Sequence, residues 1–156
     1  MPARPRYARG VAHYLFNFVK GDEAKGLRKE AVRLLRARMW GVDADERHRD
    51  ALAPGDLVLI YLGAAERKFV GRAELASGVH EWTPSEAQLY PGDSPRGVLL
   101  AHVEEWDPPV PIDTVLAQID PAEGAKADHD AGVLRLSAHE YETTLAVAAR
   151  RVRSTG

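Results

Sequence analysis

The chain has 156 residues, a formal net charge of −2 and no cysteine, which is the size of one domain and excludes disulfide frameworks, thiolate metal sites and cysteine nucleophiles. No apolar stretch approaches the ~20 residues that cross a bilayer and residues 1–10 lack the apolar run of a secretory leader, so a soluble cytoplasmic protein with no membrane partner is expected. The near-neutral balance argues against bulk coating of nucleic acid, yet residues 1–50 hold 12 Lys/Arg against 7 Asp/Glu while residues 51–156 hold 9 against 16. A local basic face could meet phosphate, or the two blocks could be ordinary solvent-facing charge.

Residues 1–10, with Arg4, Arg6 and Arg9 among prolines and a glycine, read as a flexible basic lead-in, and residues 11–152 as a single domain. The segment 11–18 alternates with a period of two, placing Tyr14, Phe16 and Phe18 on one face and His13, Leu15 and Asn17 on the other, as a strand requires. Asn17 then either caps a turn at the strand end or presents an amide to a ligand. Between residues 23 and 38, Leu27, Ala31, Leu34 and Leu35 form one apolar stripe at helical spacing. Lys25, Arg28, Lys29, Arg33 and Arg36 cover the rest of that helix, either as phosphate contacts or as solubilising charge.

Met39-Trp40-Gly41-Val42 follows as a helix-to-strand connection, where an indole can stack on a flat ligand or plug one end of a barrel. The turn Pro54-Gly55-Asp56 introduces a buried strand over 57–62, and the alternation Phe69, Gly71, Ala73, Leu75 reads as its antiparallel neighbour. Gly71 permits a close backbone approach or a bulge. Thr83-Pro84-Ser85-Glu86 carries a capping-box pattern for a short helix over 84–89, directly after Trp82. A strand over 97–106 is expected to stop at Pro108-Pro109-Val110-Pro111, which delivers a short helical segment over 112–119. Beyond a polar loop at 121–131, residues 133–136 can close a sheet edge, and Ser137 with Glu140 caps a helix over 138–151 whose inner stripe is Tyr141, Leu145 and Ala148.

Local support for catalysis is absent. There is no phosphate loop with a lysine, no His-Glu-x-x-His pair and no strained serine elbow, and the six histidines at 13, 48, 80, 102, 129 and 139 share no metal-ligand interval. Glu104 and Glu105 are neighbours on a strand and point to opposite faces, so they make no acid–base pair. The expectation is a protein without enzymatic activity, cofactor or metal. What remains is a set of aromatics and small polar groups at strand ends, suited to stacking on a base whose edge is read by an amide or by main-chain groups.

Tyr14-Leu15-Phe16-Asn17-Phe18, Met39-Trp40-Gly41-Val42, the segment Pro54 to Tyr61 and Phe69-Val70-Gly71-Arg72-Ala73, in this order, resemble the EVE domain of the PUA-like superfamily, a relative of the YTH readers of methylated adenine in RNA. The resemblance runs from about residue 11 to residue 150. It implies an α+β fold, a mixed and mainly antiparallel PUA-like barrel with flanking helices, and a pocket for a modified or flipped base in DNA or RNA. By position, Trp40 matches one aromatic wall and Trp82 is the best match for the second. Asn17 falls where base-edge contacts arise, although many EVE proteins have a lysine-serine pair there and this chain has asparagine-phenylalanine.

The expected base site is therefore Asn17, Trp40, Gly41, Val42 and Trp82, with Phe16, Phe18, Tyr61 and Phe69 in support and Arg28, Arg33 and Arg36 as phosphate contacts. On this reading Trp40→Ala abolishes base-dependent binding and leaves the fold largely intact. Two other classes compete: a module for a free nucleotide or aromatic metabolite, which the net acidic surface favours, and a protein-interaction module presenting an apolar strand edge.

Overall fold

In the computed structural model, residues 10–18, 27–44, 46, 48–63, 67–118 and 132–155 are described. The basic lead-in before residue 10, the helix start at 23–26 and the loop at 121–131 lie outside them. Seven strands form one curled half-barrel of mixed, mainly antiparallel sheet flanked by helices, the α+β architecture of PUA-like domains. In chain order these are β1 (His13–Phe18), α1 (Leu27–Ala37), β2 (Met39–Gly41), a 3-10 turn (Arg49–Ala51), β3 (Leu57–Leu62), β4 (Lys68–Leu75), β5 (His80–Glu81), α2 (Pro84–Leu89), β6 (Arg96–Pro111), α3 (Ile112–Leu116), β7 (Val133–Leu136) and α4 (Ala138–Thr155). The strand order is β2-β6-β4-β3-β1-β7, with β5 joined to β6 on the edge opposite β2. β1 runs parallel to β3, with Leu15 opposite Leu59, and every other pairing is antiparallel.

Both faces of this sheet are covered, which explains why residues 57–62 read as an unbroken apolar run rather than an alternation. Successive side chains of a strand point to opposite faces. Tyr14 and Phe16 of β1 and Val58 and Ile60 of β3 therefore enter one core, closed by Ala31, Leu34 and Leu35 of α1. Leu15, Leu59 and Tyr61 enter a second core with Phe69 and Trp106, closed by Tyr141, Val147 and Ala148 of α4. Complete burial of such a side chain contributes roughly 1.5–3 kcal/mol, so each core anchors its helix more firmly than helix propensity alone could. The expected stripe of α4 gains Thr144, whose buried hydroxyl donates to the Glu140 carbonyl at 2.9 Å.

Two segments differ from expectation. Met39–Gly41 is a strand, with Trp40 opposite Val98, and not an irregular connection. β6 does not stop at the prolines; it continues to Pro111. The ladder with β4 pairs Gly71 with Glu105 and then Phe69 with Val110. Residues 106–109 thus bulge between paired positions, where proline's missing N–H costs no ladder bond. Gly71 serves the same junction: a Cβ there would run into the Glu104 carbonyl oxygen. Both capping boxes form, Thr83 with Glu86 and Ser137 with Glu140.

Candidate functional site

The end of β1, the start of the chain after β2 and the segment 90–94 ahead of β6 meet around a cleft of about 420 Å³. It contains four of the five residues expected from sequence to form the base site: Asn17, Trp40, Gly41 and Val42. Asn17 is 5 % exposed at the strand end, its main-chain N–H donating to the Gly132 carbonyl at 2.8 Å. Its amide lies against Gly63, where a Cβ would stand 2.7 Å from Oδ1. Trp40 is 4 % exposed and belongs to the first core; it stacks on Phe16 at 6.0 Å and 28° and meets the edge of Phe18 at 5.5 Å. The indole therefore shows the cleft only a margin, and the expectation that Trp40→Ala spares the fold does not survive this burial.

Another part of the wall is Tyr90, a half-buried residue that the sequence reading missed. Trp82 stands behind it, ring centroids 4.8 Å apart at 41°, with its indole N–H donating to the Ser94 carbonyl at 2.8 Å. Trp82 thus supports the wall and does not line the cleft. His80 packs edge-on against Trp82 at 5.6 Å. Its two ring nitrogens meet the Gly78 carbonyl at 3.1 Å and a Glu86 carboxylate oxygen at 2.9 Å. Both partners accept only, so the doubly protonated ring satisfies both, and the Gly78 carbonyl followed by Glu86 raises the imidazole pKa above its ordinary value. The same Glu86 oxygen accepts the Thr83 main-chain N–H at 2.9 Å. One cap therefore holds α2, His80, Trp82 and, through them, Tyr90.

Glycines make room for this packing. A Cβ at Gly41 would collide with the Tyr90 hydroxyl and approach Ser94 Cβ to 2.8 Å, and one at Gly97 would collide with the Trp40 carbonyl and approach the Trp82 ring to 2.7 Å. Glu30, Asp43, Glu46 and Asp93 line the cleft, and no Lys, Arg or His does so among the described residues. Burial raises the pKa of the Tyr90 phenol, and the Asp93 and Asp43 charges raise it further against a hydrogen bond with the Gly41 main chain.

The remaining sequence candidates lie elsewhere. Phe18 lines the cleft and Phe16 backs Trp40 within the core. Tyr61 and Phe69 face each other at 5.0 Å in the second core, on the opposite side of the sheet, and take no part in the cleft. Arg28 pairs with Asp107 at 3.1 Å, Arg36 holds Glu105 through two bonds at 3.1 and 3.2 Å, and Arg33 pairs with Glu30 at 3.3 Å. All three carry carboxylate partners from this chain, and only Arg33, through Glu30, adjoins the cleft. Tyr90 was detectable in principle as the first residue beyond the capped helix 84–89; the carboxylates have no local pattern, because they converge from α1, the 43–46 segment and the 92–94 turn. Among the described residues no cluster of three or more His, Asp or Glu is placed to hold a metal, and no helix is long and apolar enough to cross a membrane.

No family model matches the chain, and no curated protein matches it in sequence. Solved structures do match in fold. A hypothetical protein from Leishmania major superposes with a TM-score of 0.63 at 16 % identity, over 92 % of this chain and 98 % of that one. The YTH domain of the Zygosaccharomyces rouxii MRB1 protein, solved in complex with N6-methyladenosine RNA, gives 0.60 at 12 % identity over 88 % and 86 %. Human THYN1, solved in complex with 5-methylcytosine-containing DNA, gives 0.58 at 13 % identity over 88 % and 97 %. The chain thus shares, nearly end to end, the fold of these proteins.

Proposed function

We propose that this chain is a non-catalytic reader of the EVE type that takes a modified or flipped nucleobase of DNA or RNA into the cleft lined by Phe18, Tyr90 and the margin of Trp40. The observation that carries this reading is an aromatic-walled cleft of about 420 Å³, with a buried amide at its rim, in a fold shared with two proteins solved on methylated-base nucleic acids. Its volume falls in the ~300–1,000 Å³ range of small-ligand sites. Phe18 and Tyr90 offer ring surface, the Asn17 amide lies at the rim, and Trp82 fixes Tyr90. Each base stack of this kind contributes roughly 1–3 kcal/mol.

Gly41→Val tests the proposal. The added side chain displaces Tyr90 and Ser94 and fills the cleft, while Gly41 lies at the end of a three-residue strand. Binding of modified nucleosides and oligonucleotides, followed by calorimetry, is expected to be lost with the circular dichroism spectrum unchanged; undiminished binding would place the ligand elsewhere. A free nucleotide or aromatic metabolite is the second reading, favoured over a polymer by arginines already engaged with Asp107, Glu105 and Glu30. Equal affinity for a free nucleoside and the same nucleoside in an oligonucleotide supports it. A salt-sensitive gain in the oligonucleotide, reduced by Arg33→Ala, supports the polymer.

A further inference from the structure

We infer that His80 is the positioning residue of the Tyr90 wall, and that its protonation fixes the wall while its deprotonation loosens it; the consequence for ligand entry rests on the base site proposed above. α2 has six residues and buries none of them, so it has no core anchor and depends on the contacts at its ends. Glu86 joins those ends. One carboxylate oxygen accepts the Thr83 main-chain N–H at 2.9 Å and lies 2.9 Å from His80 Nε2, while the Glu86 carbonyl accepts the Tyr90 main-chain N–H, also at 2.9 Å. A single residue thus connects the imidazole to the ring that lines the cleft. Trp82 gives a second route, edge-on to His80 at 5.6 Å and against Tyr90 at 4.8 Å.

Only the doubly protonated imidazole suits both of its neighbours. Nδ1 lies 3.1 Å from the Gly78 carbonyl, and neither that oxygen nor the Glu86 carboxylate has a proton to offer. A neutral ring keeps one N–H, so one of the two contacts becomes a lone pair facing an oxygen, and in either tautomer the charge that draws in Glu86 is gone. The other charged groups around His80 are Glu81 beside it on β5, Arg96 of β6, and Arg49 and Asp50 of the 3-10 turn. Arg49 is engaged with Asp50 at 3.7 Å, and among the described residues Glu86 alone is paired with the imidazole. The Gly78 carbonyl, aided by Glu86, outweighs burial and holds the His80 pKa above its ordinary value, so the fixed wall is present at acid pH and is lost as pH rises through the folded value. One charge-assisted bond to a ring that is 33 % exposed is worth roughly three- to tenfold in the population of the fixed wall.

The test uses the full chain, first without ligand. Hydrogen-exchange protection of the Tyr90 amide, corrected for the intrinsic rate at each pH, is expected to fall roughly three- to tenfold as the His80 ring loses its proton in NMR spectra, and to stay level in His80→Gln. In Glu86→Gln both transitions should move together to lower pH. Protection that ignores the His80 titration, or that falls equally in His80→Gln, overturns the inference. Calorimetry with N6-methyladenosine should show the same loss of affinity across the transition. By reciprocity, saturating nucleoside should raise the His80 midpoint by roughly half to one pH unit, and a midpoint that does not move while the nucleoside binds overturns the coupling. If neither N6-methyladenosine nor 5-methyl-2′-deoxycytidine binds at any pH, the base-site proposal falls, and the ligand-free exchange measurement still decides the role of His80.

Discussion

Replacing Trp40 by alanine separates a core indole from a ligand-facing one. In the structure the side chain is 4 % exposed, stacks on Phe16 and is met edge-on by Phe18, inside the core closed by α1. Removing a buried indole from such packing costs roughly 3–5 kcal/mol, transfer and cavity terms together. Against a typical total of about 5–15 kcal/mol this is a large fraction. At roughly 2–4 °C per kcal/mol for a chain of this size, it lowers Tm by roughly 6–20 °C. Urea unfolding followed by far-ultraviolet circular dichroism measures it, with Trp82 and Trp106 left as fluorescent probes. A loss below about 1 kcal/mol with an unchanged m value would refute the argument, because the indole would then have no structural role and the stacking with Phe16 would be inconsequential. The same calculation shows why lost ligand binding in Trp40→Ala is uninformative without a stability measurement, and why Gly41→Val is the cleaner probe.

Gly97→Ala should destabilise the protein strongly, since its Cβ meets the main-chain carbonyl of Trp40 across the β2–β6 ladder and not a movable side chain; an unchanged urea midpoint would contradict that packing. Asp56→Ala removes a fully buried carboxylate that accepts the main-chain N–H groups of Ala12 at 3.2 Å and Ala53 at 3.1 Å. Stranding these donors should cost about 2–4 kcal/mol, and a melting curve superimposable on that of the parent would show that they find other acceptors. His80 has a folded pKa raised above 6.5, so its stabilisation is complete below 6.5 and is lost as pH rises through the folded value. Glu86, held low first by the Thr83 main-chain N–H and also by His80, contributes above 4.5 and loses its contribution as pH falls through its folded value. His80→Gln should therefore flatten the decline of Tm that begins near pH 6.5, and a proton NMR midpoint for His80 at or below 6.5 would disprove the assignment.

How much was legible in the sequence follows from the range of each interaction. Period-two alternation in β1, the apolar run of β3, the stripe of α1 and the two capping boxes depend on residues within a few positions of one another, so the elements and the α+β class could be read directly. Gly71 was legible as a close approach or a bulge, though its partner Glu104, far along the chain, was not. Asn17, Trp40, Gly41 and Val42 could be grouped only by resemblance, and the structure does bring them to one cleft. The ranking of the aromatics was not legible. Trp82 and Tyr90 are eight positions apart across a short helix, and which ring faces the cleft depends on the Ser94 carbonyl that holds the indole and on the room left by Gly41 and Gly97. The arginines of α1 read as a basic face until β6, about 70 residues further on, supplies Asp107 and Glu105. Local hydrogen bonding and hydrophobic period determine the elements. Long-range packing alone decides which side chains are left facing a ligand and which charges are already paired, because those outcomes depend on residues that only the closed sheet brings together.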